Sequence, residues 1–322
     1  MSRAVALLAA ALALVGIAGC GGSGAEPGVP KGATLVLDFT PNAVHSGIYA
    51  AQAEGFYEDA GVDLKVQPPG ESTDAPKLLG AGKVEFAILD IHDLGIAREK
   101  GIPLVGVMPI VQRPLASVIA GDPSAVQRPR DLDGRTVGVT GLPSDDAVLD
   151  SVVSADGGDP QQVHRVTIGF NAVASLAAGR IDAATAFWNA EGVTLQRQGV
   201  PIRVFRVDDY GAPRYPELVL VTTSKTLNDD PDLVHEVVDA TARGYSVASS
   251  DPSQGLDDLL AADPSLDRAD QAAELRALES ANAFRDPGKF DWPVLRRWAQ
   301  WEAQHGIVKK QPEVTGTFAE VK

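Results

Sequence analysis

The sequence predicts an α/β protein of two lobes, each a mainly parallel sheet flanked by helices. Three observations support this fold class. Short apolar segments of strand length alternate with segments of helical spacing from Ala33 to Phe205. The alternation runs through two successive units. After a strand at Leu218–Thr222 only helical segments follow, and because these have no sheet of their own to cover, they return most simply to the first lobe.

The first unit begins with an apolar run from Leu35 to Phe39, which predicts a strand. Thr40 and Pro41 predict a helix start, since threonine caps helices well and proline fits the first helical position. Gly55 suits the left-handed residue after that helix. The unit continues with predicted strand Val62–Val66, helix Ala75–Ala81, strand Val84–Leu89, helix His92–Lys100 and strand Leu104–Ile110.

The second unit repeats the pattern before the helical run. Its predicted strands are Leu115–Ala120, Arg135–Val139, Val163–Ile168, Ile181–Phe187 and Ile202–Phe205, with helices at Ser144–Ala155, Ala172–Ala178 and Glu191–Gln198. The later helices are Pro231–Ser249, Gln254–Ala262, Ala269–Ala283 and Trp292–Gln304. We therefore expect lobe 1 at residues 33–115 and 218–322 and lobe 2 at residues 116–217. Two crossings would join the lobes, with a ligand in a cleft that closes about a hinge.

Composition narrows the function classes. The chain has 322 residues, 44% of them hydrophobic, and a formal net charge of −15. An acidic chain repels phosphate backbones, so a nucleic-acid partner is not expected. No GxGxxG motif follows a predicted strand and the sequence has no Walker motif, so nucleotide-dependent chemistry has no support. We expect no cofactor and no metal.

The amino terminus predicts export. Arg3 precedes an uncharged apolar run over residues 4–17, followed by small residues, which is typical of a secretory signal at residues 1–19. The segment ending at Cys20 looks like a bacterial lipobox, which predicts a lipid on Cys20 and a protein anchored at the extracytoplasmic face of the cell membrane. An ordinary cleaved signal with a chance cysteine is the alternative. Residues 20–32 would be a flexible tether.

Polar side chains gather where the first predicted strand ends. Asp38, Phe39, Asn42 and His45 lie between this strand and its helix, and Asp90 follows a later strand in the same way. Ligands of open α/β sheets bind at this edge. Phe39 could offer a flat aromatic face or pack in the core, and Asn42 could bind ligand or cap the helix. His45 suits a neutral imidazole with one hydrogen bond.

The second lobe offers an opposing wall. Trp188 and Glu191 lie where a strand turns into a helix, which suits a planar ligand with an amino group. The indole would stack on the ring, and the carboxylate would accept N–H bonds or remain a helix-start acid. Ser144 opens another helix, but Asp145 and Asp146 there would repel a phosphate or sulfonate. Asn171 and Tyr215 are weaker ligand-binding candidates.

Several of these stretches resemble the NMT1/Thi5-like family of type 2 periplasmic binding proteins. The resemblance covers roughly residues 33–248 and rests on LDFTPNAVHSGIYAAQAEGFYEDAGVDL, LLGAGKVEFAILD, REKGIPLVGV and FWNAEGVTLQRQG. Members with this pattern bind aminopyrimidine precursors of thiamine. The resemblance implies that Phe39, where a tryptophan is usual, stacks on the pyrimidine and that Glu191 holds its amino edge.

The resemblance further implies a solute-binding protein of an ABC importer, monomeric, with permease and ATPase subunits as partners. The expected ligand is a 4-amino-5-(hydroxymethyl or aminomethyl)-2-methylpyrimidine, free or N-formylated. Riboflavin or a sulfonate such as taurine are alternatives, and a role in ligand sensing is another. The family also contains a thiamine-pyrimidine synthase, whose essential lysine and histidine would fall on Leu89 and Asp93. Without that amine no Schiff base can form, so we expect no enzyme.

Overall fold

The computed structural model of the chain describes residues 30–69 and 75–321. The expected signal at residues 1–19, the lipid site Cys20 and the tether up to residue 29 lie outside these residues. Within the described ranges, none of the helices combines the length and apolar character needed to cross a bilayer.

Ten strands form two sheets. In chain order they are β1 (Lys31–Val36), β2 (Val62–Gln67), β3 (Phe86–Asp90), β4 (Leu104–Val111), β5 (Ala116–Ala120), β6 (Thr136–Val139), β7 (His164–Thr167), β8 (Ala183–Phe187), β9 (Arg203–Arg206) and β10 (Leu218–Thr223). The sheet orders are β2-β1-β3-β10-β4 and β7-β6-β8-β5-β9. In each sheet one strand, β10 or β5, runs opposite to the other four described strands. The predicted α/β class with mainly parallel sheets is therefore confirmed.

Helices cover the sheets. They are α1 (Ser46–Ala53), α2 (Phe56–Asp59), α3 (Ala75–Gly80), α4 (Ile91–Glu99), α5 (Pro143–Ala155), α6 (Ala172–Ala177), α7 (Glu191–Arg197), α8 (Ser224–Asp229), α9 (Pro231–Ser250), α10 (Pro252–Ala262), α11 (Arg268–Ser280), α12 (Trp292–Gln304) and α13 (Val314–Thr317). The short helices α2, α8 and α13 were not predicted. After α13 the chain returns to the first sheet, where Ala319 N–H donates to the Gly106 carbonyl at 3.0 Å.

The strand β3 shows why the sheet strands read as continuous apolar runs. Phe86 and Ile88 pack on one face of the first sheet, and Ala87 and Leu89 pack on the other. Successive strand residues point to opposite faces, so a sheet covered by helices on both faces needs apolar residues at every position. The polar residue of this strand, Asp90, lies at its end, where helices no longer cover the sheet.

The first strand and helix differ from the prediction. The strand lies at Lys31–Val36 and pairs in parallel with β2, so it takes in the last two residues of the expected tether and ends before Asp38. The helix begins later than Thr40 and Pro41. Asn42 caps a 3₁₀ turn over residues 43–45, and α1 follows at Ser46. Asn42 rather than Thr40 is the capping residue, because its side-chain oxygen accepts the Val44 N–H at 3.0 Å.

The long helix α9 lies against α1 at close range. A Cβ atom on Gly244 would stand 2.1 Å from the Gly47 carbonyl oxygen, so only glycine allows this approach. Tyr245 next to it donates to the Val44 carbonyl at 2.6 Å. This contact fixes the helix α1 and the turn before it, from which the first wall of the site extends.

The two connections between the sheets are tied to each other. Arg113, between β4 and β5, pairs with the buried Asp208 at 3.0 Å, which lies between β9 and β10. The Trp188 indole N–H donates to the Pro114 carbonyl at 2.9 Å. The two segments that connect the sheets are therefore packed and hydrogen-bonded to their surroundings.

Candidate functional site

A cavity of about 190 Å³ lies between the two sheets and is lined by both. Its walls come from the carboxyl ends of parallel strands, because the residues after β1, β3, β6 and β8 all reach it. This is the edge at which α/β sheets bind ligands. The cavity is smaller than typical ligand pockets, which span roughly 300–1,000 Å³.

The lining is strongly acidic. Six carboxyl groups and one histidine, His92, reach the cavity, and among the described lining residues there is no lysine or arginine. These acids are Asp38, Asp90, Asp93, Asp145, Glu191 and Glu217. Such a lining attracts cations and N–H donors and repels anions.

Asp38 and Asn42 form the first wall. The Asp38 carboxylate lies 2.8 Å from Nε2 of His45, and Nδ1 of His45 accepts the Asn42 N–H at 3.2 Å. Because Nδ1 accepts, the ring proton sits on Nε2 and is donated to Asp38. His45 is fully buried and does not line the cavity. It positions Asp38, and the ligand contact expected of His45 is corrected to this supporting role.

Asp90 stands at the floor of the cavity. Its carboxylate caps α4 by accepting the His92 N–H at 2.7 Å. His92 is buried, with Nδ1 bonded to Glu302 and Nε2 at 3.1 Å from the Tyr215 hydroxyl. Burial opposes the charged ring, but the Glu302 and Asp90 carboxylates outweigh burial and raise the pKa of His92 to about 10. A protonated imidazole therefore compensates Glu302.

Glu217 completes the floor from the second connection between the lobes. One carboxyl oxygen accepts the N–H groups of Leu115 and Ala116, the latter at 3.0 Å. The other oxygen is buried and has no partner among the described residues. Burial and the neighbouring Asp90 raise the pKa of Glu217 to about 8. On the same floor, burial and Asp90 raise the pKa of Asp93 to about 7.

The opposing wall comes from the second sheet. Asp145 lines the cavity beside Ser144 and accepts the Thr140 N–H at 2.6 Å. Burial raises the pKa of Asp145. Asp146 does not line the cavity; its carboxylate turns outward to Arg165 at 3.1 Å. Of the two acids expected to repel anions here, only Asp145 faces the ligand space.

Glu191 opens α7 and faces the cavity. One of its oxygens accepts the Phe187 N–H at 3.1 Å, which fixes the side chain at the helix start. Burial raises the pKa of Glu191. Beside it, Asn189 lines the same cavity with a side-chain oxygen that is buried and lacks a partner in the described structure. The wall thus offers hydrogen-bond acceptors in excess.

Two exposed aromatic rings meet at the mouth of the cavity. Phe39, from the first lobe, is 43% exposed, and Phe170, from the second, is 61% exposed. Their ring centroids lie 5.9 Å apart at an angle of 53°. Single exposed apolar residues are common, but an exposed apolar pair beside a cavity is typical of a binding surface. The pair brings aromatic surface from both lobes to the mouth of the cavity.

Three expected ligand residues lie elsewhere. Trp188 is buried, with the Arg206 guanidinium carbon 4.0 Å from its ring centroid, and its indole N–H donates to the Pro114 carbonyl. Tyr215 is buried against His92. Asn171 donates to the Ile168 carbonyl at 3.0 Å outside the cavity. Trp188 therefore cannot supply the predicted stacking face, and none of the three lines the cavity.

The floor does not favour a metal ion. Ligand atoms of Asp90, His92 and Glu217 lie within 4.8 Å of one another. However, both nitrogens of His92 already have partners, so neither has a free lone pair for a metal. The carboxylates that remain suit a hydrogen-bond donor.

Sequence reasoning missed several lining residues, among them Phe170, Asn189 and Glu217. Phe170 and Asn189 had a signal, since both stand in turns between a strand and a helix, as the predicted candidates do. Glu217 precedes β10 in an irregular segment, and only the folded chain brings it under the cavity.

Comparisons with known proteins identify the family of the chain. The model of the family described as NMT1/THI5 like matches residues 42–255. A formylaminopyrimidine-binding protein of Halalkalibacterium halodurans is 34% identical over 227 residues, covering 70% of this chain and 69% of that protein. A 4-amino-5-hydroxymethyl-2-methylpyrimidine phosphate synthase of Legionella pneumophila is 27% identical over 236 residues, 72% of this chain and 74% of the other.

Solved structures show the same fold at low identity. The periplasmic aliphatic sulphonate binding protein SsuA from Escherichia coli has a TM-score of 0.73 and 14% identity, covering 91% of this chain and 93% of that one. The alkanesulfonate-binding protein SsuA from Xanthomonas axonopodis pv. citri has a TM-score of 0.72 and 15% identity, covering 90% and 99%. These likenesses confirm the expected periplasmic binding protein fold. With the family match spanning most of its length, the chain belongs to the NMT1/THI5-like family.

Proposed function

We propose that this chain is an extracytoplasmic solute-binding protein of an ABC importer that captures an aminopyrimidine precursor of thiamine. The observation that carries the proposal is the cavity lining, which combines six carboxyl groups with no lysine or arginine among the described residues. An aminopyrimidine offers N–H donors and a basic ring to match these acceptors. The similar Halalkalibacterium halodurans protein carries the name of such a ligand.

We assign roles to the lining residues from their positions in the cavity. Phe39 and Phe170 hold the ring faces at the mouth. Glu191 accepts from the exocyclic amino group, with Asp38 and Asn42 on the facing wall. Asp90, Ser144 and Asp145 supply further polar contacts. Each carboxylate–amino bond is charge-assisted and therefore stronger than a neutral one.

Two alternative ligands fit less well. A sulfonate needs a cationic or N–H-rich pocket, whereas burial and neighbouring acids make this lining disfavour negative charge. Riboflavin carries three fused rings, and a cavity of about 190 Å³ suits a single ring better. Both remain arms of the binding test.

The site supports capture without chemistry. Leu89 and Asp93, the positions on which the resemblance puts the essential lysine and histidine of the synthase, line the cavity. No amine is present among the described lining residues to form a Schiff base with a carbonyl substrate. Some relatives are named as synthases, so the absence of catalysis is tested directly: incubation with pyridoxal phosphate followed by borohydride reduction should leave no adduct on a residue of the cavity lining.

Location and partners extend the proposal. The apolar run before Cys20 supports a lipid anchor on that cysteine, with the folded lobes presented outside the cytoplasmic membrane to a permease and its ATPase. The protein would act as a monomer. Labelling with a radioactive fatty acid, with Cys20→Ser as the control, tests the anchor directly.

Calorimetric titration tests the ligand. Hydroxymethyl-, aminomethyl- and formylaminomethyl-aminopyrimidines, thiamine, riboflavin and taurine are each titrated into the protein. Glu191→Gln should weaken a true aminopyrimidine by about 1.5–3 kcal/mol, the scale of a hydrogen bond to a charged group. Asp146→Asn is the matched control, because that acid opens a helix of the same lobe but faces solvent. Binding of taurine or riboflavin alone would overturn the assignment.

A further inference from the structure

The floor of the cavity holds an acceptor that the proposed ligand contacts do not use. Glu217 is fully buried, yet one of its carboxyl oxygens has no partner among the described residues. A buried carboxylate oxygen without a hydrogen bond is strongly unfavourable. The residue lines the cavity, so a ligand group can reach it.

The described residues give this oxygen no hydrogen-bond donor. Asp90, whose carboxyl lies within 4.8 Å, adds negative charge. His92 is a cation at the same range and lowers the pKa of Glu217, but its ring nitrogens are bonded to Glu302 and Tyr215. The described lining contains no lysine or arginine. A donor for the free oxygen can therefore come from the ligand.

We propose that Glu217 and Asp90 form a subsite for a protonated primary amine, which makes the aminomethyl form of the pyrimidine the preferred ligand over its hydroxymethyl isostere. The inference rests on the proposed function and deepens it. An ammonium group has three donors and a full charge, so it can satisfy both carboxylates, whereas a hydroxyl has one donor and no charge. A formylated amine, which is neutral, loses this contact.

The subsite is built into the hinge. The second oxygen of Glu217 accepts the N–H groups of Leu115 and Ala116 at the start of β5, and its backbone carbonyl accepts the Ile91 N–H at 2.9 Å. Glu217 thereby joins β5 of the second lobe to α4 of the first. An amine held there contacts the residue that joins the lobes.

Glu217→Gln is the sharpest variant. Its amide oxygen can still accept from Leu115 and Ala116, while its NH₂ group replaces the acceptor that faces the cavity. The substitution keeps the shape of the side chain and replaces the hydrogen-bond acceptor that faces the cavity with a donor. Glu191→Gln is the comparison, because Glu191 is assigned to the ring amino group that both probes share.

The test is calorimetry on the full chain in mild detergent. The probes are 4-amino-5-aminomethyl-2-methylpyrimidine and its 5-hydroxymethyl isostere. Wild type should bind the amine at least about tenfold more tightly, since charged hydrogen bonds exceed neutral ones by roughly 1.4 kcal/mol. Glu217→Gln should reduce this ratio to below about threefold, and Glu191→Gln should weaken both probes and leave the ratio intact.

The outcomes separate the subsite from the function. Equal binding of both probes by wild type, or an unchanged ratio in a folded Glu217→Gln variant, overturns the subsite and leaves the proposed function standing. Binding of neither probe overturns both. If Glu217→Gln does not fold, Asp90→Asn takes its place, because asparagine still caps α4; an unchanged ratio there overturns the subsite equally.

Discussion

Removal of the Phe170 ring tests whether the aromatic pair at the cavity mouth holds the ligand. Phe170 is 61% exposed, so Phe170→Ala should leave the free energy of unfolding within about 0.5 kcal/mol of wild type. Ligand affinity should respond more strongly. An aromatic contact contributes about 0.5–1.5 kcal/mol beyond its buried area, which corresponds to a loss of roughly 2- to 12-fold in affinity.

A double-mutant cycle sharpens the test. The Phe39 and Phe170 rings lie 5.9 Å apart and would enclose the same ligand ring. Their alanine substitutions should therefore be non-additive, because residues that share a partner are coupled. Affinities of wild type, both single variants and the double variant for the hydroxymethyl probe are measured by calorimetry, and stabilities by thermal melts.

Val166→Ala is the matched control. Val166 is also an exposed apolar residue of the second lobe, 39% exposed, but it lies on β7 and does not line the cavity. Its substitution should leave affinity unchanged. If Phe170→Ala binds the probe as tightly as wild type while melting normally, the ring does not contact the ligand and the aromatic-clamp reasoning is refuted.

Further predictions concern the lobes and the core. Arg197 on α7 forms an ion pair with Asp270 on α11. Arg197→Gln should lower ligand affinity by less than about fivefold at low salt and leave it unchanged in 1 M NaCl, because salt screens such a pair. An equal loss at both salts would contradict an electrostatic contribution of this pair to affinity. Gly244→Ala should destabilise by about 3 kcal/mol or more, because its Cβ would stand 2.1 Å from the Gly47 carbonyl oxygen, and a normal melting temperature would refute this. Burial raises the pKa of Glu274 from 4.5 to about 7. The protonated side chain therefore contributes on the order of 3 kcal/mol to the free energy of unfolding below pH 4.5, and this contribution is lost as the pH rises through 7. Glu274→Gln should flatten the stability profile over that window, and an unchanged profile in chemical denaturation would contradict the assignment.

Local patterns determined most of the fold. Apolar runs such as Phe86–Asp90 and the periodic helix Trp292–Gln304 are set by burial and spacing, which the sequence displays directly. Boundaries shifted where two capping residues compete, as between Thr40 and Asn42. That competition is decided by backbone geometry after folding, because a cap needs its N–H partner in place.

The site was predicted in part. Asp38, Phe39, Asn42, Asp90, Ser144 and Glu191 reach the cavity because strand ends converge at one edge of a parallel sheet, a rule the sequence can use. The local sequence does not determine how a side chain is oriented at such an edge. Trp188 follows a strand just as Asn189 does, but its indole turns into the hinge to satisfy its N–H group.

The sequence by itself determined the α/β class, the acidic character and the sheet edge at which the candidate site lies, since these follow from composition, periodicity and strand ends. Tertiary structure decided which side chains share one space. Glu217 lies 127 residues after Asp90, and only the return of β10 between β3 and β4 brings their carboxyl groups within 4.8 Å. Electrostatic interaction depends on that distance and on burial, and neither is written in the local sequence.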